Sequence, residues 1–506
     1  MWGRQIAQNA IMYRSVLDVT SKKPRAPVHV PVGVGLVALL GLFVVAFLVY
    51  WPNLTDFFAL DDYIWLKAAS NPHAGDFFRR AFSFPSATPF QEPTPFWRPL
   101  VDAYFFASWR AFGLHPLPYH ITNVALHGAN AALVAVLAWQ ISRSRLTGLL
   151  SGLLLAVLPT YDFAVTWISS VTELLGVLFY LLALVLYAGY LTGSRRAKRL
   201  YWGALVALFL GLLSKESSVT LPAVLVGLAL VMEPPRSLRM AKRVAVELAP
   251  FAALALAYFL FLYVQEYRAT SDNGLYRFGW HAFKNIWDYL QWIALPFPSG
   301  WAPWVEQVRP LAAASFVVLG AFALAARSPL LGFSFAWTLL ALLPYSFFPE
   351  GIEYRYTYPA CIPFVIFVVS FVRAGFKLVE PRLGPYPAVS AFAVVILSVG
   401  VFLGTQVRDR QVWIGDQAQA YGQFFHQVPS LCGDMPASSH IYVLHSPVFD
   451  LYGMSTRMAL NIRYRDVFVD LVRGDRLPEL SALIPDKCVV DYRNGRYGLV
   501  SLGVSS

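Results

Sequence analysis

Apolar residues run in long unbroken stretches along most of this 506-residue chain. Most have roughly the 17–25 residues that cross a ~30 Å hydrocarbon core. None shows the alternation of a barrel strand, and a bilayer tolerates only helices or closed barrels, so the stretches predict spanning helices. They fall at 30–51, 120–142, 146–160, 173–192, 200–213, 217–232, 244–265, 310–327, 329–347, 359–373 and 387–405. Two intervening segments are too long for turns. Residues 52–119 contain amphipathic pieces at Tyr63–Ala69 and Leu100–Phe112 that predict interfacial helices. Residues 266–310 are rich in aromatics (Trp280, Trp287, Trp292, Trp301, Trp304), which suits a headgroup belt or a sugar- or acceptor-binding surface.

Composition agrees: 57% hydrophobic residues against 14% charged is too little charge for a soluble chain of this size. The net charge of +11 does not indicate nucleic acid, because the basic residues sit in short loops between spans. Lys22, Lys23 and Arg25 precede the first span, which reads as retained rather than cleaved. Arg143 and Arg145, then Arg195 to Arg199, Arg236 to Arg243, and Arg373 to Arg382 mark the other cytoplasmic loops. Eleven spans then put the C-terminus outside, and the chain is expected in a bacterial inner membrane. After about residue 405 no span follows. The β-like runs Ile441–Leu444 and Cys488–Val490 predict a small extracytoplasmic α/β domain over 406–506, after a cytoplasmic segment 1–29 and a membrane domain 30–405. Cys432 and Cys488 are a disulfide pair or two buried thiols; Cys361, within a span, reads as packing.

The candidate chemistry clusters on the predicted outer face. Asp61 and Asp62 follow the first span; adjacent carboxylates suit a general base, each raising the other's pKa, and equally suit a helix cap. His120, Asn123, His127 and Asn130 lie along one stripe of the second span. Such groups face a wet cavity or bond helices together, and the deepest, Asn130, reads as bonding. Arg98, Lys215 and Arg355 are cations suited to a phosphate, or to ordinary boundary ion pairs such as Lys215–Glu216. Asp162 and Glu173 flank an outer turn near Trp167. With the Asp61–Asp62 pair they could hold Mg²⁺ or Mn²⁺ through oxygens.

In order, Asp61-Asp62-Tyr63, Trp97-Arg98-Pro99-Leu100, the run YHITNVALHGAN from Tyr119, SKESSVTLPAVL from Ser214 and Glu353-Tyr354-Arg355-Tyr356 resemble the polyprenyl-phosphate-sugar-dependent glycosyltransferases of the GT-C superfamily. The likeness is nearest to protein O-mannosyltransferases and their transmembrane-TPR relatives, and covers about 30–405. It implies an all-α GT-C-like membrane domain of about eleven spans, with the first outer loop enclosing the active site. It further implies sugar transfer from a lipid phosphate to an acceptor hydroxyl, usually with inversion, and requires no metal. Asp61 would be the catalytic acid's position with Asp62 beside it. Arg355 and Lys215 would take the donor phosphate, joined by Arg98, with His120, Asn123, Asp162 and Glu173 near substrate. The chain departs from the pattern at Ser170-Val171-Thr172-Glu173, where relatives carry an arginine, and at Leu158–Asp162, where a histidine is missing. It also lacks a TPR array. The competing class is a transporter of lipid-linked glycans. Transporters place polar groups at the midplane of internal repeats, whereas no repeat is visible and the acids lie at one face. An inactive scaffold presenting the C-terminal domain is a third class, which no residue suggests.

Overall fold

In the computed structural model the described residues are 32–82, 86–87, 93–94, 96–193, 196–234, 237–269, 277–297, 303–349, 351–410, 412–448, 450, 454–464, 466–472 and 487–500. The N-terminal segment 1–29, Arg195, Arg236 and Trp301 lie outside them.

Each predicted span has its helix. They run Val32–Tyr50 (α1), Leu117–Ser142, Arg145–Val157, Val171–Leu191, Ala197–Leu212, Leu221–Met232, Leu238–Ala269, Pro303–Ala325, Pro329–Ser346, Tyr358–Leu383 and Pro385–Arg410. Among the described residues, eight helices are individually long and apolar enough to cross a membrane. A ninth span forms if Arg145–Val157 and the segment Pro159–Thr166, bent by 40°, count together. Ala197–Leu212 and Leu221–Met232 are the short members: at 1.5 Å per residue they extend about 24 and 18 Å, less than the ~30 Å core. Lys215 and Glu216 sit at their junction, where a 3₁₀ turn, Glu216–Thr220, leads into the second helix.

Local chemistry sets the ends. Ser144, extended, accepts a hydrogen bond from the Thr147 N–H and starts Arg145–Val157. Gly384, at φ 83°, closes Tyr358–Leu383, and Pro385 opens the next helix. Small residues then bring helices together: a Cβ on Gly148 would stand 2.4 Å from the Ala135 carbonyl oxygen, so only glycine permits that approach.

The chain forms two compact units. The first comprises 1–51, 122–165 and 170–410 and holds nearly all the apolar helices. Its aromatic segment forms the helix His281–Ala294, where Trp280 is 84% exposed and Trp304, on the helix after it, 49%. Trp292 instead lies under the buried Arg309, 3.6 Å from the guanidinium carbon.

The second unit comprises 52–121, 166–169 and 411–506. The first loop, expected as part of the membrane domain, therefore packs in one body with the C-terminal segment. Its helices are Asp62–Ala69 (α2), Ala74–Phe82 (α3) and Pro99–Phe112 (α4), so the two amphipathic pieces are helical as predicted. The contact explains the grouping. Tyr63 stacks on Tyr421 at 5.4 Å and on Phe425 at 5.9 Å, and the Lys67 ammonium donates to the Asn461 carbonyl at 2.5 Å. An amphipathic helix that turns aromatic side chains away from water needs such a partner.

The C-terminal segment is the expected small α/β fold. Strands β3 (His440–Leu444), β4 (Phe468–Val472), β5 (Lys487–Arg493) and β6 (Arg496–Leu499) form one sheet in the order β4-β3-β5-β6, while Ser86–Ala87 (β1) and Pro93–Thr94 (β2) pair separately. β3 runs parallel to β4 and β5, and β6 antiparallel to β5. Cys432, ending the helix Val412–Cys432, is disulfide-bonded to Cys488 on β5. Cys361 is a buried free thiol.

Candidate active site

The second unit holds the paired acids. Leu60, just before them, is buried in the left-handed region at φ 52°, a conformation that costs an L-residue about 1–2 kcal/mol. The turn throws the two carboxylates into different roles. Asp62 is 2% exposed; its Oδ2 accepts from the Ala59 N–H at 2.9 Å, and its Oδ1 from the Ser169 N–H at 2.7 Å and the Ser169 hydroxyl at 2.5 Å. The Trp167 indole N–H adds a bond to the Ala59 carbonyl. Asp62 thus ties the loop at 59–62 to the turn at 167–169. Burial pushes its carboxyl up to about 7, against those hydrogen bonds, with the Asp61 charge a lesser contribution in the same direction. Asp61 is less buried and occupies the N-cap of α2, yet its side chain makes no capping bond.

Arg98 caps α4 through its backbone: its carbonyl accepts from the Val101 and Asp102 N–H groups at 2.9 and 3.1 Å, and its guanidinium lies 4.2 Å over the Phe96 ring. Asp102, one turn on, is raised to about 7 by burial, with Arg98 pulling it back down. His120 is buried, with Nε2 3.0 Å from the Asp56 carbonyl.

The first unit holds the other cations. Lys215 Nζ is 2.6 Å from Glu173 Oε1 and 3.6 Å from Glu216 Oε1, so its main partner lies on another helix and not next door. Gly176, one turn beyond Glu173, makes this possible: a Cβ there would stand 2.6 Å from the Lys215 Cβ. The Tyr345 hydroxyl donates to the other Glu173 oxygen at 2.9 Å. Tyr345 stacks on Tyr356 at 4.6 Å, and that ring lies between two cations, 5.2 Å from Lys215 Nζ and 4.9 Å from the Arg355 guanidinium carbon. Arg355 also donates to the Tyr356 hydroxyl at 3.1 Å and pairs with the half-exposed Glu353 at 2.6 Å. One Lys, one Arg, three Glu and two Tyr thus form a continuous network.

Each member of the polar stripe makes a hydrogen bond. Asn123 donates to the Val165 carbonyl at 3.3 Å; His127 lies 3.0 Å from the Tyr358 hydroxyl and 3.3 Å from the Ala156 carbonyl; Asn130 donates to the Leu174 carbonyl and to the same hydroxyl. Asp162 opens the short helix Asp162–Thr166 and is buried. Among the described residues no group of three or more His, Cys, Asp or Glu is arranged to hold a metal. Sequence reasoning missed Ser169, Gly176, Tyr345 and Tyr356, whose parts depend on residues far away in the chain.

With this geometry in hand, comparison with known proteins bears on the class. No family model matches the sequence. The curated protein O-mannosyl-transferase Tmtc1 of Drosophila melanogaster is 34% identical over 142 residues, 27% of this chain and 16% of that protein. The chain therefore spans about a sixth of the length of the curated relative it matches. Among solved structures, the oligosaccharyltransferase of Archaeoglobus fulgidus tethered with an acceptor peptide aligns with a TM-score of 0.50 at 10% identity, covering 87% of this chain and 64% of that one. ArnT from Cupriavidus metallidurans in the apo state aligns at 0.49 and 15% identity, covering 90% and 93%. The oligosaccharyltransferase likeness shows the fold: the chain shares that structure's helical architecture, the one the GT-C resemblance implied.

Proposed function

We propose that this protein is a membrane glycosyltransferase that moves a sugar from a polyprenyl phosphate to an acceptor hydroxyl on the outer face, with inversion. The GT-C fold and the stretch shared with a named O-mannosyl-transferase support that class. The observation that carries the site is the division of labour at Asp61–Asp62. Asp62 is buried and engaged by Ala59 and Ser169, whereas Asp61, at the start of α2, is only partly buried and so within reach of an acceptor. Asp61 takes the acceptor proton as the oxygen attacks the anomeric carbon, and polyprenyl phosphate leaves with the bonding pair. The leaving group is already a stable anion, so positioning and charge compensation supply most of the acceleration.

Arg355 is assigned to the leaving phosphate. Its counterion Glu353 is half exposed and readily exchanged, and the stacked Tyr356 keeps the guanidinium oriented. Lys215 adds positive charge through the same network, and Arg98 serves the phosphate from the first loop. His120, Asn123, Asp162 and Glu173, all buried, are assigned to shaping the substrate's surroundings. No metal is assigned. The disulfide between Cys432 and Cys488 supports an oxidising compartment, hence a C-terminal domain outside an inner membrane.

The test is transfer of labelled sugar from polyprenyl phosphate by purified protein in detergent, where transport has no second compartment. Asp61→Asn is expected to lose at least about 100-fold in rate, the usual worth of a positioned base. Full activity in Asp61→Asn, Asp62→Asn and the double variant would sink the assignment.

A further inference from the structure

The C-terminal sheet carries a groove that none of the residues assigned to sugar transfer lines. From β3 the chain continues to β4 on one side, and from β5 it turns into β6 on the other. The two connections part at the carboxyl ends of adjacent parallel strands, the place where open α/β sheets take ligands. A cavity of about 660 Å³ opens there, lined by His445, Asp491, Arg493, Arg496, Gly498 and Leu499 among others.

Its polar groups are held in place. His445, just past β3, is left-handed at φ 50°, and its Nδ1 lies 2.8 Å from Asp491 Oδ1. Arg493 Nε donates to Asp491 Oδ2 at 2.5 Å. Burial alone would raise the Asp491 carboxyl, but the bonds from His445 and Arg493 outweigh it and hold it below the usual carboxylate range. An ionised carboxylate only accepts, so the Nδ1–H donates to it, and in the neutral ring Nε2 is left as an acceptor.

Arg493 and Arg496 are cross-strand partners around the Asn494-Gly495 turn, whose residues have φ 52° and 81°. Two like charges directly opposite each other on one sheet face are unfavourable, and Asp491 balances only one. Gly498 pairs with Asp491, and a Cβ on it would meet nothing within 4 Å, so the space above the carboxylate is open. Two arginines against one aspartate leave an excess of one positive charge in the groove. The exposed Leu499 gives it an apolar lip.

We propose that this groove is an oxyanion-binding site, in which Arg493 and Arg496 clamp a carboxylate or phosphate and the Asp491-held His445, its Nε2 an acceptor, takes a hydrogen bond from a hydroxyl of the same ligand. Forked guanidinium donors match both oxyanions. The inference stands on the C-terminal domain alone and does not depend on the glycosyltransferase reading.

The test is calorimetric titration of the full-length protein in detergent with glucuronate, inorganic phosphate and, as a neutral control, glucose. Saturable binding of either anion, absent for glucose and weakened at least tenfold in Arg496→Gln, supports the site. Binding of glucuronate alone identifies an acidic saccharide, and of phosphate alone a phosphate group. Arg493→Gln is the second variant, should Arg496→Gln unfold the domain. The proposal is overturned by no saturable anion binding, by equal binding of glucose, or by anion binding that both variants leave unchanged, since that binding would lie elsewhere.

Discussion

Replacing Lys215 by methionine tests the buried network at its centre. Lys215 and Glu173 have side chains 4% and 1% exposed with 2.6 Å between charged atoms. At an effective dielectric of about 20 that separation is worth roughly 6 kcal/mol of attraction. Desolvating two ions costs several kcal/mol each, so the intact pair is near break-even against an apolar pair. Removing one partner is different, because the other stays buried and uncompensated; Lys215→Met is expected to cost about 3–5 kcal/mol. Glu173→Gln should cost less, since Glu216, 3.6 Å from Nζ, still faces the lysine. The double variant removes the Glu173 charge as well and should recover part of that loss but not all of it, because the buried Glu216 still loses its lysine. The assay is denaturant unfolding of all four proteins in mixed micelles, read as a double-mutant cycle. If the single losses sum to the double within about 0.5 kcal/mol, the residues are uncoupled and the reasoning fails.

Other outcomes follow from the same geometry. Asp62 has a folded-state pKa of about 7 against its ordinary 3.8, so its contribution to stability is fully present below about 4 and is lost as pH rises through 7; Asp62→Asn should flatten that part of a stability–pH profile. Unfolding melts from pH 4 to 8 would show it, and an unchanged slope in the variant would remove the assignment. Opening the Cys432–Cys488 bond, whose ends are 56 residues apart, should cost about 4 kcal/mol by loop entropy, seen as a lower melting temperature under reductant that Cys432→Ala no longer responds to. Gly148→Ala should cost about 1–3 kcal/mol, because the added methyl meets the Ala135 carbonyl of the facing helix; equal thermal stability would contradict the close approach.

What the sequence determined by itself is the membrane architecture. A bilayer satisfies no backbone polar group, so every apolar run of the right length must close its own hydrogen bonds as a helix, and each of the eleven runs did. The short pair ending at Leu212 and Met232 was visible too, since length is a property of sequence. The Ile441 and Cys488 runs announced strands through their β-branched residues, and the fold pairs the two in parallel.

Tertiary structure alone decided partnership. Lys215 has an adjacent glutamate but pairs more closely with Glu173, 42 positions away, because Gly176 lets the two segments approach. By residue type alone the Asp61–Asp62 dipeptide offers two like acids, and only the resemblance singled out Asp61; the fold separates them, because Ser169 takes Asp62 into a buried hydrogen-bond cluster. The first loop shares a compact unit with a domain more than 300 residues later, through aromatic contacts that no local pattern encodes. Helix formation is settled within a few turns of chain, whereas the environment of a charge is set by whichever distant segment excludes water from it.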